Sequence, residues 1–586
     1  LTIDCLANND LYEAATELLN DVLYNYSGFF TDEHFGSLAA LFESPWAEER
    51  YQTLLQGDYD YDSLQFGLFM LSFGDAKVLD LIERTDDQSQ RFLGRLNGLL
   101  TASGYPIGED HVFVPALEFW STYVETVTDT MFSHDDPESK QWLPKALAHV
   151  MQVVASCWRK IQYPPIEIFA AWDSTDRVGF GDARKDVADL LQAVYTLSGP
   201  PLVSLFVDLF LQHLPTRAWA ELEAAAYCLS SLSDCISDET KCDDLLDKVF
   251  AAPFFELLSQ TQGPIPVRLR QTGLSLIERY SEYFERHAQY LPAALNLLFD
   301  AVGDPLLGNP SSKSISTLCS SCRALLTGEV AAFLGHYSSI YNGQVIDPLA
   351  EERIVLAIAS IIQAVPDESQ RWQALDQLFS FVKDDVQRSL KLLADPEMLN
   401  LSDPLFQRGV DSSQAGTVPS IREVSLQLSL RALRFLCSMA KGMQAVTEGP
   451  IDVDGTHLAQ PRRNNVLNRI QDEIIEIISR VMSTFPSSGE VVETICNMLR
   501  AGFSETESGP FVFPPETITL FFTRQTIYCP RIGALLGTAC SFVSSLTGPG
   551  DHVVENLSRL LPWVVGLLQS HPGMPHTHPA SRSTSF

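Results

Sequence analysis

This sequence has no strand signature. Nowhere does it sustain the period-two alternation of a half-buried strand, and it lacks the regular hairpin spacing that would close a sheet; Asn342-Gly343 stands alone between helical stretches. An all-β sandwich or barrel is therefore excluded. Basic charge is also scarce, since 40 Lys and Arg face 74 Asp and Glu for a net charge of −34. A general nucleic-acid binder needs a positive footprint to displace counterions from phosphates, so direct nucleic-acid binding is not expected. The carboxylate excess suits basic partners and keeps the chain in solution.

Long apolar runs are missing too. No stretch of about 20 uncharged apolar residues occurs, so no membrane span is expected. The nearest candidate, PLVSLFVDLFLQHL (Pro201–Leu214), holds Asp208 and is too short. The N-terminus, LTIDCLANND, has no basic region followed by an apolar core, so no signal peptide is read there. Cysteine is sparse, with 11 in 586 residues. Cys228, Cys235, Cys437 and Cys496 lie inside apolar helical stretches, as small core residues do, which points to a reducing compartment.

Catalytic signatures are absent: no phosphate loop, no HExxH zinc helix, no GxSxG elbow. Gly179-Phe180-Gly181 lacks a third glycine and a preceding strand. Cys319-Ser320-Ser321-Cys322 has no second pair to complete a zinc site and reads as two core residues. Asp58, Asp60 and Asp62 lack the central Gly and terminal Glu of a calcium loop and read as an acidic turn. His571, His576 and His578 have no Cys or carboxylate partners near them in the sequence. Trp120 and Trp158 belong to no motif and read as core. The chain is read as no enzyme, with no cofactor and no metal.

What the sequence does have is helical periodicity. Hydrophobic residues are 45% of the chain, enough for extensive burial. In ELEAAAYCLSSLSDCIS (Glu221–Ser237), Leu222, Ala225, Ala226, Leu229, Leu232 and Ile236 form one stripe. The stripe is rich in Ala, Cys and Ser, so this helix must press closely on its neighbours. Downstream, apolar faces recur. Leu245, Leu246, Val249 and Phe250 form one, and Leu269, Leu276, Ile277, Tyr280 and Phe284 the next. Leu291, Leu295, Leu298 and Val302 follow, then Ile315, Leu318, Cys319, Cys322 and Leu325, then Ile354, Ala357, Ile358, Ile361 and Val365. Paired helices return roughly every 40–50 residues, the spacing of HEAT and armadillo repeats. Polar connections are read at His134–Gln141, Trp172–Asp186, Gln407–Ser420 and Thr447–Asn464. The expected fold is all-α, a right-handed α-α superhelix of HEAT/ARM type over residues 1–570, with a disordered tail over 571–586.

Three stretches carry a family resemblance. ARKDVADLLQAVYTLSG (Ala183–Gly199) is similar to a helix of the importin-β superfamily, in its importin-thirteen and transportin-SR branch, through Arg184, Asp186, Val187 and Asp189. AWAELEAAAYCLSSLSDCI resembles the family helix matched by Trp219, Glu223, Ala224, Leu229 and Ser231, with Leu232 in place of an Ile. SKSISTLCSSCRALL resembles a third, through Ser316, Leu318, Cys319 and Cys322. The similarity runs from about residue 60 to about residue 545, in matching order.

The resemblance implies a nuclear transport receptor, or karyopherin, that shuttles between cytoplasm and nucleus. Such a receptor binds protein cargo, nuclear pore proteins and the GTPase Ran. Family members bind Ran mainly through N-terminal repeats, which are expected to lie outside this chain. The arginine-rich helix of the transportin-SR type corresponds to Gly489–Phe503, which keeps Arg500 but has Glu490, Thr494 and Asn497 where arginines stand. The importin-thirteen type therefore fits better. Asp243, Asp244 and Asp247 are candidate contacts for a basic cargo. The alternative is a HEAT scaffold subunit of a phosphatase or vesicle coat, not governed by Ran.

Overall fold

The computed structural model describes residues 2–133, 140–236, 240–251, 253–259, 265–343, 346–400, 404–407, 420–445, 465–505, 509–546 and 553–570. Among these the chain is helical throughout and forms no named strand; one isolated bridge joins Pro106 and Asp110. The expected all-α, HEAT-type repeat architecture is the one observed. The chain divides into two units, Leu1–Tyr283 and Phe284–Phe586. The expected tail over 571–586, with its three histidines, lies outside the described residues, as do most of the connections at 134–141, 407–420 and 447–464.

In the first unit, helices Asn9–Tyr26, Tyr61–Ala76, Phe113–Ser133, Ser174–Ser198, Trp219–Ser231 and Val267–Arg279 pack side by side in that order. The helix expected to press closely on its neighbours is Trp219–Ser231. It presses on Leu143–Lys160, Ser174–Ser198, Pro200–Thr216 and Val267–Arg279 at once. Leu222, Ala224, Ala225, Ala226, Cys228 and Leu229 are fully buried. An Ala buries little area by itself, so its value here is the close approach it permits. The stripe does not run unbroken to Ser237. The helix stops at Leu232, where the Ser233 hydroxyl donates to the Ser230 carbonyl (2.9 Å), and Ser233–Ile236 forms a separate turn.

Three readings of the sequence need correction. Trp172–Asp186 is not a connection, because helix Ser174–Ser198 runs through most of it. Asp173 caps its start by accepting from the Asp176 amide (2.9 Å), and Phe180, Ala183, Val187, Leu190, Leu191 and Val194 form its buried face. Gly179 permits a close approach: a Cβ there would lie 2.8 Å from Ile107 Cγ2. The stretch DLLDKVFAAPFFELL, residues 244–258, reads as one helix but is two pieces, Asp243–Phe250 and Phe254–Ser259, with Pro253 between them. Leu325 is 49% exposed, because helix Gly308–Ser321 ends with Cys322 as its cap and the stripe stops with it.

In the second unit, Gly308–Ser321, Pro348–Gln363, Ile421–Gly442, Gly489–Phe503 and Ile532–Ser545 form a similar row. The expected apolar faces there are buried: Ile315, Leu318, Cys319 and Cys322, and Ile354, Ala357, Ile358, Ile361 and Val365. Asp367 caps the 27-residue helix Glu368–Ala394, accepting from the Gln370 amide at 2.7 Å. Close approach matters here as well. A Cβ on Gly442 would lie 2.5 Å from the Leu356 carbonyl oxygen.

Buried ion pairs tie successive helices together in both units. In the first, Arg184 of Ser174–Ser198 meets Glu223 of Trp219–Ser231 at 2.8 Å, each side chain 4% exposed. Arg184 also donates to the Ile161 carbonyl (2.7 Å), Thr272 donates to Glu223 (2.7 Å), and the rings of Tyr163 and Tyr227 stack on the guanidinium. Burial works against the Arg184 charge, but Glu223, Tyr163 and Tyr227 together offset it and the pKa is raised. Lys160 likewise meets the fully buried Asp110 at 2.6 Å. In the second unit, Arg431 reaches Glu351 (2.6 Å) and Asp385, whose carboxylates also accept from Tyr337 (3.3 Å) and Tyr341 (2.8 Å).

Such a pair costs desolvation to form, so its removal as a unit is cheap and its disruption is not. Arg184→Met alone is expected to destabilise the first unit by about 3–5 kcal/mol, because it strands Glu223. The double change Arg184→Met with Glu223→Leu is expected to recover most of that loss. Urea unfolding followed by circular dichroism checks both. Equal midpoints for the single and double variants would show that the two residues are not coupled.

Candidate functional site

Asp243 and Asp244 open helix Asp243–Phe250, where their charges face the positive end of the backbone dipole. The preceding residue, Cys242, supplies no side-chain cap. Asp244 is exposed, whereas Asp243 and Asp247 are half-buried. Asp247 is turned toward the protein: the Tyr283 hydroxyl donates to it at 3.5 Å, and the Tyr283 ring stacks on Phe250. The structure thus brings the three carboxylates onto one short helix but presents them unequally to solvent.

A larger acidic surface lies on the neighbouring row. Helix Phe113–Ser133 exposes Glu118, Glu125 and Asp129, and helix Ser174–Ser198, packed beside it, exposes Asp182, Asp186 and Asp189. Spacings of seven and four residues in the first set, and of four and three in the second, put each set on one stripe. Lys185 is the cation among the second set and pairs with Asp182 at 2.8 Å. Burial raises the Asp186 pKa, and the like charges of Asp189 and Asp182 add to it. Burial, with help from Glu118, pushes Asp75 up to about 6. These stripes are places where added positive charge lowers the energy of the surface. Motif-by-motif reading passed over them. Their signal was the helical spacing of the acids, and Asp186 and Asp189 had entered only as family matches.

The other sequence candidates have structural roles. Asp60 caps helix Tyr61–Ala76 by accepting from the Ser63 amide (2.8 Å), and Asp58 accepts from the Asp60 amide (3.2 Å). Cys319 and Cys322 are fully buried, and burial raises both thiol pKa values. Trp120 and Trp158 are core residues, at 0% and 7% exposure. Gly179 and Gly181 sit inside a helix. Gly489–Phe503 is a helix with the bounds read from the sequence. On it Glu490 pairs with Arg434, the Thr494 hydroxyl donates to the Glu490 carbonyl, and Arg500 donates to Thr538 (3.0 Å). No group of His, Cys, Asp and Glu suited to a metal ion occurs among the described residues, and no helix there is long and apolar enough to cross a membrane.

Comparison with known proteins follows the same line. Residues 256–335 match the family model for the Transportin-3/Importin-13 third TPR domain. Importin beta-like protein kap111 of Schizosaccharomyces pombe is 27% identical over 553 residues, covering 92% of this chain and 52% of that relative. Human Importin-13 is 21% identical over 521 residues, covering 83% of this chain and 49% of its own length. The chain therefore spans about half the length of the curated relatives it matches. Among solved structures, importin-13 in its cytosolic state superposes with a TM-score of 0.73 at 16% identity, over 96% of this chain and 60% of that one. Importin beta superposes with a TM-score of 0.54 at 12% identity, over 96% of this chain and 64% of that one. In sequence and in fold alike, the chain is similar to the karyopherins of the importin-β superfamily, in the branch that holds importin-13 and transportin-3.

Proposed function

We propose that this chain is the body of a nuclear transport receptor of the importin-13 type. It carries protein cargo between cytoplasm and nucleus, passes nuclear pore proteins on the way, and exchanges cargo according to the nucleotide on Ran. It is a carrier and not a catalyst. The observation that carries the reading is the extent of the likeness: importin-13 matches at low identity but over 83% of the chain, and the fold agrees over 96%. The experiment is a pull-down of the complete protein with Ran locked in its GTP state and with Ran bound to GDP. Capture by the GTP form alone is the expected outcome. Equal capture, or none, would favour a Ran-independent HEAT scaffold.

The cargo in this reading is basic. The net charge of −34 gives long-range attraction, and the carboxylate stripes give the landing surface. Asp243, Asp244 and Asp247 extend the contact zone, with Asp244 its most accessible member. A lysine-rich peptide labelled for stopped-flow fluorescence is expected to associate more slowly as salt rises. Asp182→Asn, Asp186→Asn and Asp189→Asn together are expected to slow it several-fold.

Acid is expected to weaken binding as well. The Asp75 pKa is raised in the free protein, so its negative charge is present above about pH 6 and lost as pH falls through that value. A rate indifferent to salt, pH and these substitutions would remove the acidic stripes from the proposal.

A further inference from the structure

A cavity of about 430 Å³ in the first unit stands apart from the acidic stripes. It opens between helices Asp32–Phe42, Val78–Glu83 and Asp87–Leu99 and the end of Tyr61–Ala76. Its wall is aromatic. Phe42, Phe73 and Phe92 form a triangle with ring centroids 5.1–5.3 Å apart, and Phe35 joins Phe73 at 6.1 Å. Its mouth is charged, with four cationic and three anionic side chains, in a chain that is otherwise strongly acidic.

The anions at that mouth are already engaged, or sit at a helix start. Asp80 holds Lys77 (2.6 Å), whose ammonium lies over the Phe35 ring, and Glu43 holds Arg91 (2.7 Å). Asp32 sits in the first turn of its own helix. Arg95 is held by Glu48 (2.6 Å) and the Phe42 carbonyl. Arg84 is different. It is exposed, and its guanidinium has no hydrogen-bond or ion-pair partner among the described residues. A guanidinium fork of this kind accepts a carboxylate on two parallel hydrogen bonds. Gly36, which also lines the cavity, leaves open space: a Cβ there would meet nothing within 4 Å.

We infer that this cavity receives one large apolar side chain from an acidic segment of a partner protein, with a neighbouring carboxylate of that segment bound by Arg84. Phe35, Phe42, Phe73 and Phe92 line the cavity beside the charged side chains, which suits an apolar side chain carried on a charged segment more than a polar small molecule. Charge selects the segment: the free donor asks for an anion, and the open space at Gly36 lets a peptide backbone come close. The partner this cavity fits is opposite in charge to the basic cargo of the stripes, so the two surfaces do not compete for one ligand.

The test uses the whole chain and three labelled peptides of equal length, read by fluorescence polarisation. One carries Leu flanked by Asp, one Leu flanked by Ser, and one Ala flanked by Asp. The first is expected to bind at least about tenfold more tightly than the other two, in a salt-dependent way. Arg84→Glu is expected to lower that affinity about tenfold. Gly36→Met places a side chain in the mouth, improves helix propensity and is expected to abolish binding without lowering the melting temperature. Equal affinity for all three peptides, no binding of the first, or full binding by both variants would overturn the inference. Ran does not enter this readout, so the result is separate from that of the transport reading.

Discussion

A pair of helices has more apolar surface than it can bury by itself, and everything else in this protein follows from that shortage. Each pair must borrow cover from the pair before it and the pair after it. Trp219–Ser231 is the clearest case, because its stripe of Leu222, Ala225, Ala226 and Leu229 is sealed by helices on every side. Ile421–Gly442 holds the corresponding place in the second unit, packed against Pro348–Gln363, Glu368–Ala394 and Gly489–Phe503. Small residues set how close the neighbours come. Large ones, such as Phe206 and Phe210 on Pro200–Thr216, supply the buried area.

Apolar packing alone would let one helix slip along another. The buried ion pairs fix the alignment, since Arg184 meets Glu223, and Arg431 meets Glu351 and Asp385, at one relative position only. Their energetic contribution is small when both partners are present and large when one is missing, which is the behaviour of a register device and not of a glue. The same separation holds at the surface. The most deeply buried charges are paired, and carboxylates outnumber cations on the exposed stripes, where a cationic partner can relieve their mutual repulsion. Fold and proposed function thus draw on the same residue types in different settings.

Much of this was legible in the sequence, for a physical reason. An apolar stripe at a period of 3.6 is a local property, so the helices from Glu221 onward could be read directly, and the absence of alternation ruled out sheets. What escaped was non-local. The stretch around Gly179 and Gly181 read as part of a polar connection, because the tight contact of Gly179 with Ile107 lies more than 70 residues away in sequence. Arg184 and Glu223 were each singled out as family matches, but their pairing across 39 residues needed the fold. The candidate acids Asp243, Asp244 and Asp247 were chosen by position at a helix start, and the part Tyr283 takes in holding Asp247 could not be read from there.

Native-state hydrogen exchange, resolved by peptide, tests the stacking claim most directly. In an array where each pair is stabilised by its neighbours, amide protection in the first unit rises from Asn9–Tyr26 to Trp219–Ser231. In the second unit it falls from Ile421–Gly442 to Val553–Gln569. One uniform protection factor across each unit, with the outer helices exchanging together with the central ones, would mean a single cooperative core and would contradict it.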